Sequence, residues 1–365
     1  MELAITGLGM MTSLGGVVAG SAAQKAGLSR PVEIDFFEVC GDEGIGSANL
    51  IGHRVTPSSE GFFQIGLWVR MAFEAMGELL RYGAVADPGS AAFWQRTAIF
   101  AALPVMEFDR FYWPEDQVID GLREHFLGSV TSLLDLPISK DQLFVFPNGR
   151  CATARALVAA RAQIERGRFD RAIVVGADSW VDPQSLAWLA EHDRLKHCDN
   201  PAGLVPSEAA ACFLLETEPA RRRRGATAEA VVEAVSVIDA PGAKQFDAAA
   251  TGSRVAKAIQ LALGAAGETS PFAGDIYFDL NGETWNATAW GHAQPLLLRH
   301  IDFARTRLLL PCAELGDTGA ASAAVAVCLG TRAFVRGWAR GPRALVCSIS
   351  ESGDASVLVL AAPRS

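Results

Sequence analysis

Cys151 is the residue with the clearest chemical potential, because it lies between a turn and a helical pattern. Residues 147–149 are Pro-Asn-Gly, a turn signal, and small or apolar residues then recur at helical spacing from Ala152 to Ile164. At a helix N-terminus, free backbone N–H groups and the helix dipole stabilise an anion, so a cysteine there can carry more thiolate. Cys151 is therefore a candidate nucleophile; the alternative is a small buried residue, a common role for free cysteine.

The elements that must position Cys151 form a strand–turn–helix–strand unit. An apolar run at 143–146 precedes the turn, and the helix ends at Arg166-Gly167. A second apolar run at 171–176 then reads as a buried strand. Alternating strands and helices of this kind predict sheets covered by helices, with ligands near the carboxyl ends of the strands.

A second unit of the same kind follows later in the chain. Gly316, Asp317 and Thr318 open an alanine-rich helical pattern at 320–329, as Gly149 to Cys151 do in the first unit. This weak internal similarity predicts a duplicated α/β fold with an N-terminal half at 1–219 and a C-terminal half at 225–365. The basic run 221–224 is interpreted as a solvated connection between the halves.

The remaining pattern completes the set of predicted elements. Further strands are predicted at 3–6, 97–103, 210–216, 231–238, 275–280, 308–310, 344–349 and 357–361, and further helices at 62–82, 117–126, 183–192, 253–266 and 285–300. Gly7 and Gly9 are interpreted as a tight turn after the first strand, Ser253 as a helix cap and Pro295 as a helix break. Residues 17–60 are predicted to be irregular.

Composition limits the classes of function. The chain has 365 residues, 50% of them hydrophobic, and a formal net charge of -9, which argues against broad nucleic-acid binding. Its seven cysteines form no CxxC pair, and its six histidines show no zinc-type spacing, so we expect no disulfide framework, no metal and no cofactor. The first residues lack a basic region and no apolar run could span a bilayer, so we expect a cytoplasmic location.

Several motifs in order resemble those of the β-ketoacyl synthase branch of the thiolase superfamily. Residues 5–15 (ITGLGMMTSLG) resemble the opening TGxGxxxxxG, and Cys151-Ala152-Thr153 resembles the nucleophile sequence CAT. Pro206-Ser207-Glu208 before an apolar strand resembles another ketosynthase loop. The resemblance implies a thiolase-like fold of five layers, αβαβα, with Cys151 at the catalytic position, and a dimer.

The sequence departs from this family at three places. Ketosynthases have a histidine in an HGTGT-like turn, where this chain has Asn281, and a second histidine in a GHxxGAAG-like helix start, where it has Asp317. Their GFGG loop is replaced by residues 350–354, Ser-Glu-Ser-Gly-Asp. The resemblance thus makes Cys151, Asn281 and Asp317 the candidate site, with an amide and an acid in place of two imidazoles.

These substitutions favour three hypotheses in a definite order. An ionised Asp317 would repel the oxyanion that Claisen condensation develops, although Asn281 can still donate a hydrogen bond. We therefore favour a non-condensing scaffold, partner subunit or adaptor. A Cys151-dependent acyltransferase or thioesterase acting on acyl-CoA or acyl-carrier-protein thioesters is the alternative, and an ordinary condensing enzyme ranks last.

The partners implied by the resemblance follow these hypotheses. We expect a homodimer or a heterodimer with a related subunit, and an acyl carrier protein or a CoA thioester as a further partner if acyl chemistry survives. Degraded thiolase-like proteins also resemble accessory factors of type VI secretion effector clusters, so a secretion effector or accessory protein is a further candidate. Four tryptophans are candidates for interface anchors or for the core: Trp94, Trp113, Trp180 and Trp188.

Overall fold

The computed structural model describes residues 2–40, 47–56, 60–83, 85, 90–240 and 246–363. The strands are β1 Leu3–Met11, β2 Val32–Cys40, β3 Ser47–Gly52, β4 Thr97–Leu103, β5 Leu143–Pro147, β6 Arg171–Ser179, β7 Glu208–Glu216, β8 Ala230–Ile238, β9 Asp275–Phe278, β10 Arg307–Leu309, β11 Arg343–Ile349 and β12 Ala355–Ala361. The α-helices are α1 Val17–Lys25, α2 Gln64–Tyr82, α3 Ala91–Trp94, α4 Phe108–Phe111, α5 Val118–Leu122, α6 Ser129–Leu133, α7 Ala152–Glu165, α8 Pro183–Glu191, α9 Glu218–Arg224, α10 Ala248–Ala265, α11 Thr284–Leu297, α12 Cys312–Leu315 and α13 Ser322–Val335. A π-helical stretch, Arg123–Gly128, connects α5 to α6.

The ten strands of the large sheet repeat one arrangement twice. One side of the sheet has the order β5-β4-β6-β7-β1, and the other has the order β10-β9-β11-β12-β8. In each order as written, the second strand is parallel to its two neighbours, and the fourth strand is antiparallel to its two neighbours. The sets meet where β1 pairs with β8 over three residues, Leu3 opposite Val232. This repeated order confirms the predicted duplication of an α/β unit.

Helices form three layers around the two sets of strands. Side chains alternate along β6, so Ala172 and Val174 lie in the central cluster with α7 and α13, whereas Ile173 and Val175 lie in the outer cluster with α2. Helices α10 and α11 cover the outer face of the second set. The order helix, sheet, helix, sheet, helix is the predicted five-layered αβαβα arrangement.

Three local predictions were wrong. Gly7 and Gly9 lie inside β1 rather than in a turn, because α2 approaches the strand closely: a Cβ on Gly9 would lie 1.9 Å from the Ala75 carbonyl oxygen. Helix α10 begins earlier than expected, and Asp247 rather than Ser253 caps it. Helix α11 continues through Pro295, which lies in its last turn.

The region 17–60 is more regular than predicted. It contains α1 and the hairpin of β2 and β3, while residues 41–46 and 57–59 lie outside the described residues. In β2 the alternation that begins at Val32 shifts by one at Phe37, where the pairing is irregular, and β3 (SANLIG) has few large apolar residues, so both strands give a weak pattern. Three of the four tryptophans, Trp94, Trp180 and Trp188, are buried in the core.

The connection between the halves is a helix and is only partly solvated. Arg224, at the end of α9, donates to the buried carboxylate of Glu216, to the Thr6 hydroxyl and to the Gly83 carbonyl. The predicted solvated connection is therefore wrong for Arg224, although Arg222 is exposed. The limits 1–219 and 225–365 stay a prediction. In the described ranges, no helix has both the length and the apolar character needed to cross a bilayer.

Candidate functional site

Two short turns, one from each half, build the candidate site. Gly149–Cys151 forms a 3₁₀ turn between β5 and α7, and Gly319–Ala321 forms the equivalent turn before α13. Both begin at a glycine with positive φ, +58° at Gly149 and +54° at Gly319. A side chain at Gly319 would also place its Cβ 2.0 Å from Asp178 Oδ2. Both the positive φ and this close approach therefore require glycine here.

Asp317 and Asn281, the two residues predicted at the histidine positions, are in direct contact. The Asn281 amide donates to Asp317 Oδ2 at 2.7 Å, and the Gly319 backbone N–H donates to Oδ1 at 2.8 Å. The Arg150 guanidinium also donates to Asp317 Oδ2. Arg150 and Asp317 are both essentially inaccessible to solvent, 1% exposed each, so this is a buried ion pair between the two halves.

These contacts belong to a closed ring of six side chains in which donors and acceptors alternate. The Asn281 amide donates its second hydrogen to Glu283 at 2.7 Å, and Arg194 donates to both oxygens of Glu283 at 2.8 Å. Arg194 also donates to Glu351 at 3.1 Å, and Arg150 donates to the same Glu351 oxygen at 3.2 Å. We call Arg150, Asp317, Asn281, Glu283, Arg194 and Glu351 the polar ring.

Arg150 and Arg194 keep Glu351 ionised. This glutamate lies in the loop 350–354, which replaces the apolar GFGG loop of the family. Burial by itself would raise the pKa of Glu351, but Arg150 and Arg194 outweigh burial and lower that pKa to about 2. Glu351 is therefore ionised throughout the physiological range. Asp354, at the end of the same loop, accepts from Arg155 at 3.1 Å and from the Ala240 backbone at 2.8 Å. Both acids of this loop are thus held in place by contacts.

Asp279 borders the ring, and its pKa is shifted upward, whereas that of Glu351 is shifted downward. Burial raises the pKa of Asp279 to about 7, and Arg150 opposes the shift while Asp317 adds to it. Its Oδ2 lies 4.0 Å from Arg150 Nη1, and neither of these buried atoms has a hydrogen-bond partner. A cavity of about 10 Å³, lined by Asp279, Thr318 and Ser348 among others, has room for about one water molecule beside them.

The described hydrogen bond of Cys151 lies outside the polar ring. Its Sγ donates weakly to the Ser348 carbonyl at 3.9 Å, on the strand pair of β11 and β12. Burial raises the pKa of the Cys151 thiol to about 12, and Asp279 and Asp354 add to the shift. The expected helix-terminal lowering of this pKa is therefore outweighed. The structure brings Asn281 and Asp317 together with Arg150, and the described hydrogen bonds of Cys151 reach neither of them.

Sequence reasoning missed four of the six ring residues. Arg150 immediately precedes Cys151, and the resemblance to a CAT motif begins only at Cys151. Glu283 follows Asn281 in the turn at the first histidine position, and Glu351 lies in the loop 350–354, whose charge was noted as a departure from the family but not as a contact of the site. The available signal was charge: Arg150, Glu283 and Glu351 each put a formal charge where an apolar or aromatic pocket was expected.

A separate group of metal-type ligands lies on an exposed loop. His197, Cys198 and Asp199 bring their ligand atoms within 4.8 Å of one another, the only such group found in the described ranges. His197 is half-buried and the other two are exposed, and exposed acidic groups are common without an ion, so the expectation of no metal site stays a prediction.

Removing Arg150 should destabilise the protein strongly, because it leaves Asp317 buried without its counter-charge. We expect Arg150→Met to lower the free energy of unfolding by about 3–5 kcal/mol. The double variant Arg150→Met/Asp317→Leu should lose less than the sum of the single changes, since both charges are then gone. Urea denaturation followed by tryptophan fluorescence measures this, with Arg70→Met at a surface ion pair as the control, expected below about 1 kcal/mol. An Arg150→Met loss as small as that of the control would contradict a buried pair.

Stability should fall with rising pH because of Asp279. The folded protein holds this proton up to about pH 7, whereas the unfolded chain releases it near 3.8, so the folded state binds more protons between these values. The free energy of unfolding should therefore decrease across that window, by at most about 1.4 kcal/mol per pH unit for one proton. Asp178 and Glu107, with pKa values raised by burial to about 6 and about 7, act in the same direction. Asp279→Asn should flatten the profile and the exposed Asp116→Asn should not; parallel profiles would refute the assignment.

Comparison with known proteins identifies the fold. No known family model matches the chain, and neither does any curated protein sequence. Among solved structures, the ishigamide ketosynthase/chain length factor matches with a TM-score of 0.70 and 21% identity over 100% of both chains. A β-ketoacyl synthase from Burkholderia phymatum STM815 matches with a TM-score of 0.73 and 16% identity, again over 100% of both.

A third similar structure is a complex. It contains a type II PKS acyl-carrier protein with its ketosynthase bound to the hexaketide, and it matches with a TM-score of 0.74 and 17% identity over 99% of both chains. At these identities the similarity concerns the fold, and it extends over essentially the whole chain. The protein therefore has the thiolase-like fold of the β-ketoacyl synthases, as its motifs predicted.

Proposed function

We propose that the protein is a non-condensing ketosynthase-fold subunit that works by association with a related chain rather than by catalysis. The observation that carries the proposal is the polar ring, which occupies the positions where the resemblance placed two catalytic histidines. The ring is closed, and each of its donors already serves a carboxylate.

Condensation requires hydrogen-bond donors aimed at a developing oxyanion. The Asn281 amide is the natural candidate, yet both of its hydrogens are donated, to Asp317 and to Glu283. An Asp317 carboxylate beside them adds repulsion toward a further anion. Loss of one oxyanion donor already costs about 2.7–4 kcal/mol of transition-state stabilisation, so a site whose Asn281 amide is fully committed to two carboxylates does not support this reaction.

Thiol chemistry at Cys151 is disfavoured on independent grounds. Burial raises the pKa of the Cys151 thiol to about 12, so the thiol is protonated at neutral pH. The thiol is also completely buried, and a thioester carbonyl must approach it before transfer can begin. These observations support the non-catalytic function over the acyltransferase or thioesterase.

Association is supported by the edge of the sheet. Strand β5 ends the sheet, so one side of its backbone has no strand neighbour in the described chain, and its sequence LFVFP is apolar throughout. An apolar edge strand without charge is a template for pairing with another chain. One matched structure is a ketosynthase/chain length factor and another a ketosynthase with its acyl-carrier protein. We propose a homodimer or a heterodimer with a related subunit for this chain.

A cytoplasmic setting suits this function. Six of the seven cysteines are unpaired, and four of these six are buried. Unpaired cysteines are the usual state of proteins in a reducing compartment. The proposal therefore keeps the location expected from the sequence.

Acylation tests the absence of catalysis. We expect no adduct on Cys151 when the protein is incubated with malonyl-CoA or a medium-chain acyl-CoA and its intact mass is measured, because the thiol is buried and protonated. Iodoacetamide provides the internal control: it should modify the exposed Cys198 in the native protein and Cys151 only after denaturation. A stoichiometric acyl adduct that disappears in Cys151→Ala would establish the acyltransferase alternative instead.

Sedimentation tests the association. We expect a dimer at micromolar concentration, and Phe146→Lys on β5 should shift it toward monomer, because a lysine on an edge strand opposes pairing. Leu298→Lys, at an exposed apolar residue of the C-terminal half, is the matched control and should leave the dimer intact. Near-UV circular dichroism verifies that both variants are folded. A monomeric native protein, or a folded Phe146→Lys variant that dimerises normally, would rule out pairing through β5.

A further inference from the structure

A cavity of about 370 Å³ lies where the start of α2 approaches β2 and the connection between β6 and α8. Of the described residues that line it, none belongs to the polar ring. Its apolar walls come from three segments that are distant in sequence, and their members are Phe36, Phe62, Phe63, Leu67, Val181 and Pro183. A cavity of this volume with mainly apolar walls is typical of small-molecule sites.

Three phenylalanine side chains at this cavity are exposed to solvent. Phe36, Phe62 and Phe63 are between 45% and 62% exposed. Exposed aromatic residues that are grouped around one cavity indicate a binding surface, whereas isolated ones are ordinary. The faces of such rings attract cations. Arg54 shows this attraction, because its guanidinium lies 5.3 Å from the centre of the Phe36 ring.

Asp182 also lines the cavity, and one of its oxygens has no partner. The residue is only 5% exposed, and as the N-cap of α8 its side chain accepts from the Ser185 backbone N–H through Oδ1 at 3.1 Å. Its Oδ2 is buried and accepts no hydrogen bond, and no basic group of the described residues forms an ion pair with it. A buried carboxylate oxygen without a partner is costly, and a cation bound beside it would offset that cost.

The other charged residues of the cavity do not provide such a cation. Glu208 is buried and accepts from the Val55 backbone N–H at 2.6 Å and from the Ser179 hydroxyl at 3.2 Å. Arg54 is the one basic residue among the described lining residues, and its described contact is with the Phe36 ring rather than with Asp182. The cavity therefore combines aromatic rings that attract cations with a buried acid that has no counter-ion in the described chain.

We propose that this cavity binds a small organic ammonium ion, with the charged nitrogen near Asp182 and the apolar group against Phe62 and Phe63. An anionic ligand would be repelled by Asp182 and Glu208, and an uncharged apolar ligand would leave Asp182 Oδ2 without a partner. An ammonium ion joined to an apolar group satisfies both the acid and the rings. This ligand site does not depend on the proposed association with a related chain.

Calorimetric titration of the full chain with two ligands of the same shape tests the site. Phenethylamine is an ammonium ion at neutral pH, and phenethyl alcohol is its uncharged analogue. We expect saturable binding of the amine, and binding of the alcohol that is weaker by about tenfold or more. Asp182→Asn should weaken the amine by about tenfold or more and leave the alcohol unchanged, because the asparagine side-chain oxygen can still accept from the Ser185 N–H.

Matched variants separate the site from nonspecific effects, with near-UV circular dichroism to verify folding. Phe63→Ala should weaken both ligands, because they share the phenyl group, whereas Phe108→Ala, at an exposed phenylalanine that does not line the cavity, should weaken neither. Asp247→Asn changes the N-cap acid of α10 and should leave the affinity for the amine unchanged. Absence of saturable amine binding, or equal affinity for amine and alcohol, would overturn the proposal. So would an Asp247→Asn loss equal to that of Asp182→Asn, which would indicate attraction to the net negative charge of the whole chain.

Discussion

The buried ion pair of Arg150 and Asp317 is the interaction on which the rest of the site depends, because it joins a turn of one half to a turn of the other. Removing two charges from water costs several kcal/mol per ion, and their attraction offsets this only if the remaining polar atoms are also satisfied. Asp317 meets that condition through Asn281 and the Gly319 N–H. Arg150 meets it in part, since Glu351 accepts from Nε while Nη1 has no partner.

Closure of the ring explains how so many charges are tolerated where a thiolase-like fold has its reaction centre. Every carboxylate of the ring lies between two donors, and every donor lies between two carboxylates, so no member depends on a single contact. Asp279 stands outside this alternation, and it is the acid of this group whose pKa burial raises to about 7. The arrangement connects β9, α7, α13 and the loop after β11, and thereby makes the centre of the molecule a structural junction.

Much of the fold could be predicted from the sequence, because buried strands and helices leave strong periodic patterns. Strand β4 was predicted with its observed limits, and the fold class followed from motifs in order along the chain. The least well predicted region, 17–60, has a hairpin in which β2 changes its alternation at Phe37 and β3 (SANLIG) has few large apolar residues, so its strands give a weak periodic signal. Gly9 was predicted to lie in a turn, because glycine is typical both of turns and of strand positions that a helix approaches closely.

The sequence predicted two of the six ring residues, Asn281 and Asp317. Asn281 and Asp317 meet as expected, because both follow elements that converge on one end of the sheets. Successive residues of a 3₁₀ turn point about 120° apart. Arg150 therefore reaches Asp317 while Cys151 turns toward Ser348 on β11. A pattern read from sequence locates such a turn but does not fix which of its side chains faces the site.

The identity of residue 281 follows from the ring itself. The position between Asp317 and Glu283 needs a neutral group that gives two hydrogens from one atom, and the asparagine amide does this. A neutral imidazole has one N–H and one lone pair, so it would present an acceptor to one of the two carboxylates. A protonated imidazole would donate twice, but from opposite sides of its ring. Position 281 therefore cannot both complete this ring and hold a catalytic histidine.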